Sequence, residues 1–374
     1  MILQKIKTEH SDEKTGLVVK RITTSEWEHL NHKIAANNSL FNCEQQRLAY
    51  SKPILNIPFQ THHIHFNKEK GIWDFDGLEE SKEHAKKQKR FYLPFQQRTE
   101  NQWLALDFSE AEGDFQDLAY RGLPLVPYSI PPTASLDEWK IRRAIAEKIL
   151  HPSQILVVIF YSKHDIKKFE AVFNYEFEHS RLIGVQCYNI NDNDTFLNLM
   201  KIKLRNSMLQ VGDEAPLLLA LNYGKILRSF SNVSGSFAYS CFGFDIFSDR
   251  QLNFKNLPSE IAKQIKNKTP DEIMRYDKII GGYNLSAEQE FWDGRNITRE
   301  FLESVKVSEG LTPFQAIQWT NHRGQQEDFD ILNDAILETA YPEKEDTAIE
   351  FIETEKERWS VFWKTKMQVL SKAV

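Results

Sequence analysis

Short apolar runs alternate with longer amphipathic segments through the middle of the chain, from about residue 123 to residue 250. The apolar runs predict strands at 123–128, 155–161, 182–188, 216–221 and 242–247, and the run at 155–161 is continuous and rich in β-branched residues. The amphipathic segments predict one helix that begins after an N-cap at Ser135. They predict further helices at 165–179, 194–209 and, more weakly, 227–239. The regular order of these elements indicates repeated strand–helix units.

Strand–helix units of about 30 residues place their strands parallel, in a closed barrel or in an open doubly wound sheet. The chain length favours the barrel, whose typical size is roughly 250 residues. No Gly-x-Gly-x-x-Gly motif follows a predicted strand, which removes the usual support for a dinucleotide-binding sheet. We therefore expect an α/β fold built as a (β/α)8 TIM-like barrel, with functional residues at the carboxyl ends of its strands.

The two ends of the chain depart from this pattern. Apolar runs at 54–59 and 103–108 predict strands, but a lysine-rich insertion separates them. Beyond residue 249 the pattern predicts helices, at 259–266, 297–305, 329–337 and in the last part of 343–374. We expect an irregular N-terminal region over 1–100 that forms part of the barrel, the barrel body over 101–340, and a helical C-terminal extension over 341–374 for packing or interaction.

Composition is that of a soluble globular chain, with 374 residues, 41% of them hydrophobic and 27% charged. The longest apolar runs, 155–160 and 217–221, fall far short of the ~18 residues needed to span a bilayer. The N-terminus lacks the apolar core of a signal peptide, so we expect a cytoplasmic protein without membrane contact. Cys43, Cys187 and Cys241 are odd in number and far apart, which indicates buried thiols rather than disulfides or a cysteine-based zinc site.

Charge argues against a protein that coats nucleic acid by bulk electrostatics, since 47 Lys and Arg against 53 Asp and Glu leave a net charge of −6. One local stretch is basic and contains interleaved aromatic residues, which can hold phosphates and stack bases. Its candidate nucleic-acid-binding residues are Lys86, Lys87, Lys89 and Arg90. The alternative interpretation is a solvated helix over 81–90 followed by a half-buried strand.

Polar and aromatic side chains follow several predicted strands. Tyrosine rings there can sandwich a flipped base, although tyrosines are also ordinary rim residues at such positions. The candidate substrate-binding residues are Tyr128, Tyr161, Gln186, Tyr188 and Tyr223. Within residues 62–65 (HHIH), His63 and His65 share one face at strand spacing, but no carboxylate or cysteine at fixed spacing completes a metal site. We expect no metal and no cofactor.

Several segments resemble the tRNA-guanine transglycosylases. Residues 294–302 (GRNITREFL), 319–323 (WTNHR) and 329–336 resemble the C-terminal part of that family, with His322 at its zinc histidine. Residues 243–247 (GFDIF) resemble its Gly-Ile-Asp-Met-Phe, 183–184 (IG) its Ile-Gly-Gly, and 106–116, more loosely, its Asp-Ser-Gly-Gly-Phe-Gln. The resemblance covers about residues 100–340. It implies a TIM barrel that exchanges guanine for a 7-deazaguanine base in a nucleic acid.

The chain also departs from the family pattern. Gln289, Phe291 and Gly294 replace the three zinc cysteines, so the resemblance implies that a family-type zinc site is absent. Ser248 stands at the expected nucleophile position, which makes it a further substrate-binding candidate, and Asp249 follows one residue later. Residues 160–162 and 128–129 replace the family's Gln-Gly-Gly turn and its substrate-binding Asp. Either the substrate differs from that of the family or the catalysis has been lost.

Base exchange at a nucleoside needs one carboxylate that attacks the anomeric carbon and a second that manages the proton of the base. The resemblance implies Asp107 as the proton-handling group and Asp245 or Asp249 as the nucleophile. The competing interpretation makes Asp245 a structural hydrogen-bonding group and Asp249 a cap of the next segment.

Three functions therefore remain open. The first is a divergent transglycosylase acting on DNA or tRNA with a purine-like base. The second is an inactive transglycosylase-like barrel that binds nucleic acid or a partner subunit, which includes assembly as an oligomer. The third is a glycosidase or nucleosidase in which water accepts the sugar. The acids favour the first function, whereas the missing zinc cysteines and glycine-rich turn favour the second.

Overall fold

A computed structural model describes residues 2–36, 58–251, 257–267, 274–278, 280–284 and 313–367. The strands are, in chain order, β1 (Leu3–Ser11), β2 (Val18–Thr24), β3 (Glu28–Leu30), β4 (Lys33–Ile34), β5 (Phe59–Asn67), β6 (Ile72–Asp74), β7 (Phe91–Gln96), β8 (Leu125–Ser129), β9 (Ile155–Tyr161), β10 (Leu182–Gln186), β11 (Leu217–Tyr223), β12 (Ile226–Leu227), β13 (Val233–Ser234), β14 (Ile246–Asp249), β15 (Arg275–Asp277) and β16 (Gly282–Asn284). The α-helices are α1 (Leu78–Lys87), α2 (Glu100–Ala105), α3 (Phe108–Tyr120), α4 (Leu136–Ile149), α5 (Ile166–His179), α6 (Asn193–Ser207), α7 (Gly235–Ser240), α8 (Ser259–Lys266), α9 (Pro313–Glu338), α10 (Thr347–Glu350) and α11 (Glu357–Phe362). Within these ranges no helix is both long enough and apolar enough to cross a membrane. The fold is mixed α/β.

The largest sheet has six parallel strands in the order β4-β14-β11-β10-β9-β8. The predicted parallel pairing among the strands near residues 155–160, 182–185, 217–221 and 244–247 is confirmed. Both faces of these strands are buried, as continuous apolar runs indicate. A methyl group at Gly184 would lie 2.8 Å from Cδ1 of Leu221 and 3.3 Å from Cγ1 of Ile159. The face of the sheet that holds Gly184 is therefore closely packed.

Two further parallel strands adjoin this sheet. β5 pairs with β7 in parallel, and β6 pairs with β5 antiparallel. A parallel bridge joins Ala36, just after β4, to Gln60 of β5, and the N–H of Thr61 donates to the carbonyl of Ala36. At the other edge, β7 lies beside β8. The parallel strands thus adjoin one another in chain order: β4, β5, β7, β8, β9, β10, β11 and β14.

Two prolines explain why no ladder joins β7 to β8 within the described residues. The N–H of Phe91 donates to the start of β5, so alternate positions of β7, including Pro94, face β8. The N–H of Ile130 donates to β9, so Pro127 of β8 faces β7. Proline has no N–H to donate, and both prolines place the missing donor at this one seam.

Helix starts follow local capping signals. Ser135 accepts from the N–H of Glu138 and the Glu138 side chain returns a bond, so α4 begins with the predicted cap. The strand predicted at 103–108 is wrong, because Thr99 and Gln102 form a capping box that begins α2 there. The weak helix predicted at 227–239 is also wrong over its first part, where β12 and β13 pair antiparallel before α7 begins.

Elements at the two ends of the chain pack on the parallel strands. β1, β2 and β3 form an antiparallel sheet. Trp359 of α11 stacks on Phe237 of α7 at 4.1 Å, Phe362 meets Phe230 at 5.1 Å, and both α11 residues are buried. The C-terminal extension therefore belongs to the core as far as residue 367. Residues 368–374 and the helix predicted at 297–305 lie outside the described residues.

Candidate functional site

Polar side chains meet at the carboxyl ends of the parallel strands, on the face that also holds Gly184. Residues that pair across neighbouring strands point to the same face. Tyr161 pairs with Gln186 of β10, and Ser248 pairs with Leu221, which itself contacts Gly184. We call this the inner face. It brings together three of the predicted substrate-binding residues.

Ser248 lies in a group of uncharged polar side chains, which we call the Ser248 cluster: the buried Ser248, Thr61 and His63 and the partly exposed Gln97. Its Oγ lies 2.7 Å from Oγ1 of Thr61 and 3.1 Å from Nε2 of His63. Nδ1 of His63 lies 2.7 Å from Oε1 of Gln97. Burial lowers the pKa of His63 to about 3, so the ring is neutral at ordinary pH. The cluster therefore places a hydroxyl group beside an uncharged imidazole.

Gln186 ties the end of β10 to the segment that follows β7. Its Nε2 donates to the carbonyl of Gln96. Its Oε1 accepts from the N–H of Arg98 at 3.3 Å and from the indole N–H of Trp103 at 3.4 Å. These bonds engage both ends of the amide, so the side chain holds the loops in place and has little capacity left to read a base.

The predicted tyrosines lie in different surroundings. The Tyr161 ring stacks on Trp103, with centroids 5.3 Å apart and an interplanar angle of 4°. Tyr188 is 38% exposed, and Nζ of Lys163 lies 5.1 Å from its ring centroid. A hydrogen bond to Glu100 raises the pKa of Tyr188. Tyr188 is therefore an aromatic side chain that a ligand can reach.

Asp249 and Tyr223 end neighbouring strands. Asp249 is the last residue of β14, and its Oδ2 lies 3.7 Å from Nζ of Lys225. Burial lowers the pKa of Lys225. Tyr223 is buried at the end of β11, 5.4 Å from the Tyr239 ring, and burial raises the pKa of its hydroxyl. Among the three acids predicted from the sequence, Asp249 ends a parallel strand at the carboxyl side.

Asp245 lies at the opposite end of the same strand, just before the first residue of β14. About 13 Å of extended chain separates it from Asp249, at ~3.3 Å per residue. Its carboxylate accepts from Nζ of Lys20 at 2.8 Å, from Nδ2 of Asn31 at 2.6 Å and from the N–H of Leu218 at 2.8 Å. Lys20 and Asp245 are both buried. Asp245 thus joins the N-terminal antiparallel sheet to the amino ends of the parallel strands.

Asp107 and Tyr128 have structural partners of their own. Asp107 is exposed and caps α3, where its carboxylate accepts from the N–H of Glu110 at 2.8 Å. Tyr128 packs between α3 and α4, with its ring 5.0 Å from both Phe115 and Trp139. It lies on the side of β8 that the helices cover, away from the inner face.

The basic stretch covers the end of α1, with Lys86 and Lys87, and the residues between α1 and β7, with Lys89 and Arg90. Lys86, Lys87 and Lys89 are exposed, and Nζ of Lys89 lies 3.0 Å from Glu26. Arg90 is 5% exposed. The aromatic residues of β7 are buried in the core, so they offer no surface on which bases can stack. The structure agrees with a solvated helix followed by a strand, and that strand is fully buried.

His322 lies on α9 and is buried. Burial, together with the nearby charges of Lys225 and Arg90, lowers its pKa to about 3. The neighbouring Asn321 accepts from the N–H of Tyr276 at 2.6 Å. Residues 289, 291 and 294 lie outside the described residues, as does Cys43, while Cys187 and Cys241 are buried thiols. In the part of the chain that the structure describes, no group of three or more His, Cys, Asp or Glu side chains is placed to hold a metal ion.

Sequence reasoning missed three of the four residues of the Ser248 cluster. The HHIH pattern placed His63 and His65 on one face, and their rings do lie 6.4 Å apart, but nothing in the sequence linked them to Ser248. Thr61 and Gln97 carried no signal of their own. Neither a protein-family model nor a curated protein sequence matches the chain.

Proposed function

We propose that the eight parallel strands close into a (β/α)8 barrel whose seam lies between β7 and β8. Support comes from the order of the strands, the bridge at Ala36 and the bonds from Gln186 to the end of β7. Hydrogen exchange tests closure at Tyr92 and Leu125, whose N–H groups face the seam. Slow exchange is expected at both amides, because closure buries them even though no ladder joins these two strands within the described residues. Rapid exchange at both, with slow exchange at Leu93 facing β5, contradicts a closed barrel.

We further propose that this barrel binds nucleic acid and does not carry out two-carboxylate base exchange. The observation that carries this is the placement of the acids: Asp245 is held in a buried ion pair at the amino end of β14, and Asp107 is an exposed helix cap. Base exchange requires two carboxylates at one ligand. Nucleic acid is the ligand class that the transglycosylase resemblance supports, and the exposed Lys86, Lys87 and Lys89 offer positive charge to its phosphates.

Binding and exchange are measured on the same three nucleic acids. Fluorescence anisotropy should show binding to tRNA, duplex DNA or single-stranded DNA, whereas labelled guanine should enter none of them. Replacing Lys86, Lys87 and Lys89 together by Gln should weaken binding and its salt dependence, because each lysine that neutralises a phosphate releases a counterion. The matched control replaces the exposed Lys140, Lys148 and Lys167 by Gln and should leave affinity unchanged. Absence of binding to all three nucleic acids refutes the proposal.

The position of Asp249 favours a second candidate function. This is base exchange in which Asp249 is the nucleophile, although it lies one residue after the position that the family resemblance implies. Its carboxylate ends β14 one residue after Ser248, at the carboxyl ends of the strands. Incorporation of labelled guanine by the wild type, abolished by Asp249→Asn in a folded variant, would select this function over simple binding.

A further inference from the structure

The orientation of Gln97 determines the proton positions in the Ser248 cluster. Nε2 of Gln97 donates to the carbonyl of Gln251 at 3.0 Å, and Oε1 accepts from the N–H of Gln251 at 3.3 Å. These two bonds distinguish the nitrogen of the amide from its oxygen. The oxygen is therefore the atom that faces Nδ1 of His63, at 2.7 Å.

A carbonyl oxygen accepts hydrogen bonds and cannot donate them. Nδ1 of His63 must therefore carry the proton of the neutral ring, which leaves a lone pair on Nε2. That lone pair points at Oγ of Ser248, 3.1 Å away. The hydroxyl of Ser248 therefore has two acceptors within reach, Nε2 of this oriented imidazole and Oγ1 of Thr61, which itself donates to the carbonyl of Ala36 at 3.3 Å. This order of nucleophile, base and orienting group is the arrangement that activates a serine.

We propose that Ser248 is a nucleophile, that His63 is its general base and that Gln97 is the positioning residue of a site that cleaves carboxylic esters. Oγ of Ser248 forms a bond to the ester carbonyl carbon while its proton passes to Nε2 of His63. The bond from that carbon to the alcohol oxygen breaks, and the alcohol leaves with the proton. Water then attacks the carbonyl carbon of the acyl-serine and gives a proton to Nε2. The bond from that carbon to Oγ breaks, Oγ takes the proton from Nε2, and the carboxylic acid leaves.

The uncharged surroundings of the Ser248 cluster favour an ester whose acyl group is also uncharged. Among the described residues, the side-chain hydrogen-bond partners of Ser248 and His63 outside their own pair are the neutral Thr61 and Gln97, and the Phe95 ring lies 4.6 Å from the His63 ring. A phosphate ester would bring negative charge into this buried surrounding without a partner, at a high desolvation cost.

A fluorophosphonate probe tests the nucleophile directly, because Ser248 attacks its phosphorus, the P–F bond breaks and fluoride leaves. We expect stoichiometric labelling of the wild type, assigned to Ser248 by peptide mass spectrometry. Ser248→Ala should abolish labelling, and His63→Gln should slow it by at least ~100-fold, the usual contribution of a general base. The matched control is Ser236→Ala, since Ser236 is also buried but donates to Gln325 instead of an imidazole.

Thermal melts of each variant establish that it is folded. No labelling of the folded wild type overturns the proposal, and so does labelling that persists in Ser248→Ala. The same four proteins assayed with p-nitrophenyl acetate should follow the same order of rates. Labelling without nucleic-acid binding would leave this inference intact and contradict only the function proposed above.

The pH profile separates a catalytic imidazole from a merely structural one. Besides the groups named above, the titratable side chains that act on His63 are His65 and His62 of its own strand. Because the pKa of His63 lies at about 3, labelling should stay constant from pH 8 to pH 5. Gln97→Glu places a carboxylate against Nδ1 and raises the pKa of His63, so labelling should then fall within that range as the pH falls. A wild-type profile that falls near pH 6.5 overturns the assignment of His63.

Discussion

The two ends of strand β14 use polar side chains in opposite ways. Before the strand, Asp245 forms a buried ion pair with Lys20 that ties two sheets together. At its end, Ser248 lies among the neutral Thr61, His63 and Gln97. The charge at the amino end is compensated by a fully buried partner, whereas the Ser248 cluster at the carboxyl end is uncharged and Asp249 beside it pairs with the partly exposed Lys225. An acid beside a strand therefore says little about chemistry until the end of the strand on which it lies is known.

The largest expected effect concerns the ion pair at the amino end. Asp245→Asn leaves the buried ammonium of Lys20 without its counter-charge, so the free energy of unfolding should fall by about 3–5 kcal/mol. Urea unfolding followed by circular dichroism measures this loss. Asp249→Asn makes the same chemical change at the other end of the strand, where Lys225 is 24% exposed, and should cost about 1 kcal/mol. Equal losses in the two variants would remove the distinction between the ends.

A smaller loss of stability is expected at low pH, from a buried histidine near the carboxyl ends of the strands. His164 follows β9, and burial lowers its pKa to about 3. Below pH 6.5 the unfolded chain binds a proton at this residue that the folded chain does not bind, so stability falls as the pH falls. Between pH 7 and pH 5 the contribution lost is about 2 kcal/mol.

His164→Gln should therefore lose about 2 kcal/mol less than the wild type between pH 7 and pH 5, as measured by urea unfolding at both values. The exposed His151→Gln is the matched control and should behave as the wild type does. Identical pH dependence in His164→Gln and the wild type would show that folding does not lower the pKa of His164.

The smallest expected effect is at Asp107. Asp107→Ala removes the cap of α3 and should cost about 1 kcal/mol. Asp165→Ala removes the corresponding cap of α5 and should cost a similar amount. Thermal melts of both variants make the comparison. If Asp107→Ala instead abolishes guanine incorporation at unchanged stability, Asp107 is a catalytic acid and the structural role given to it here is wrong.

The hydrophobic pattern predicted the parallel strands because a strand covered on both faces must be apolar at nearly every position. The hydrophobic pattern predicted the wrong element where a local capping signal favoured a helix. Trp103 lies in an apolar run that resembles a strand, yet the capping box of Thr99 and Gln102 begins a helix before it. The candidate site was predicted in part, since Ser248, Tyr161 and Gln186 do lie on the inner face. The structural role of Gln186 was not predicted, because its hydrogen-bond partners come from the end of β7 and the loop that follows it.

Sequence alone determined the strand–helix order, the parallel pairing of the strands near 155–160, 182–185, 217–221 and 244–247, and the cap at Ser135, since each follows from patterns within one strand–helix unit or between consecutive units. Tertiary structure alone decided which polar groups meet. Thr61 and Ser248 are 187 residues apart, and they come into contact because the parallel strands adjoin one another and present their carboxyl ends on one side. The same geometry sent Asp245 to the other side. The position of a residue in a strand specifies the face and the end on which its side chain lies. The side chains that it contacts there come from distant segments of the chain, and no local pattern predicts which ones.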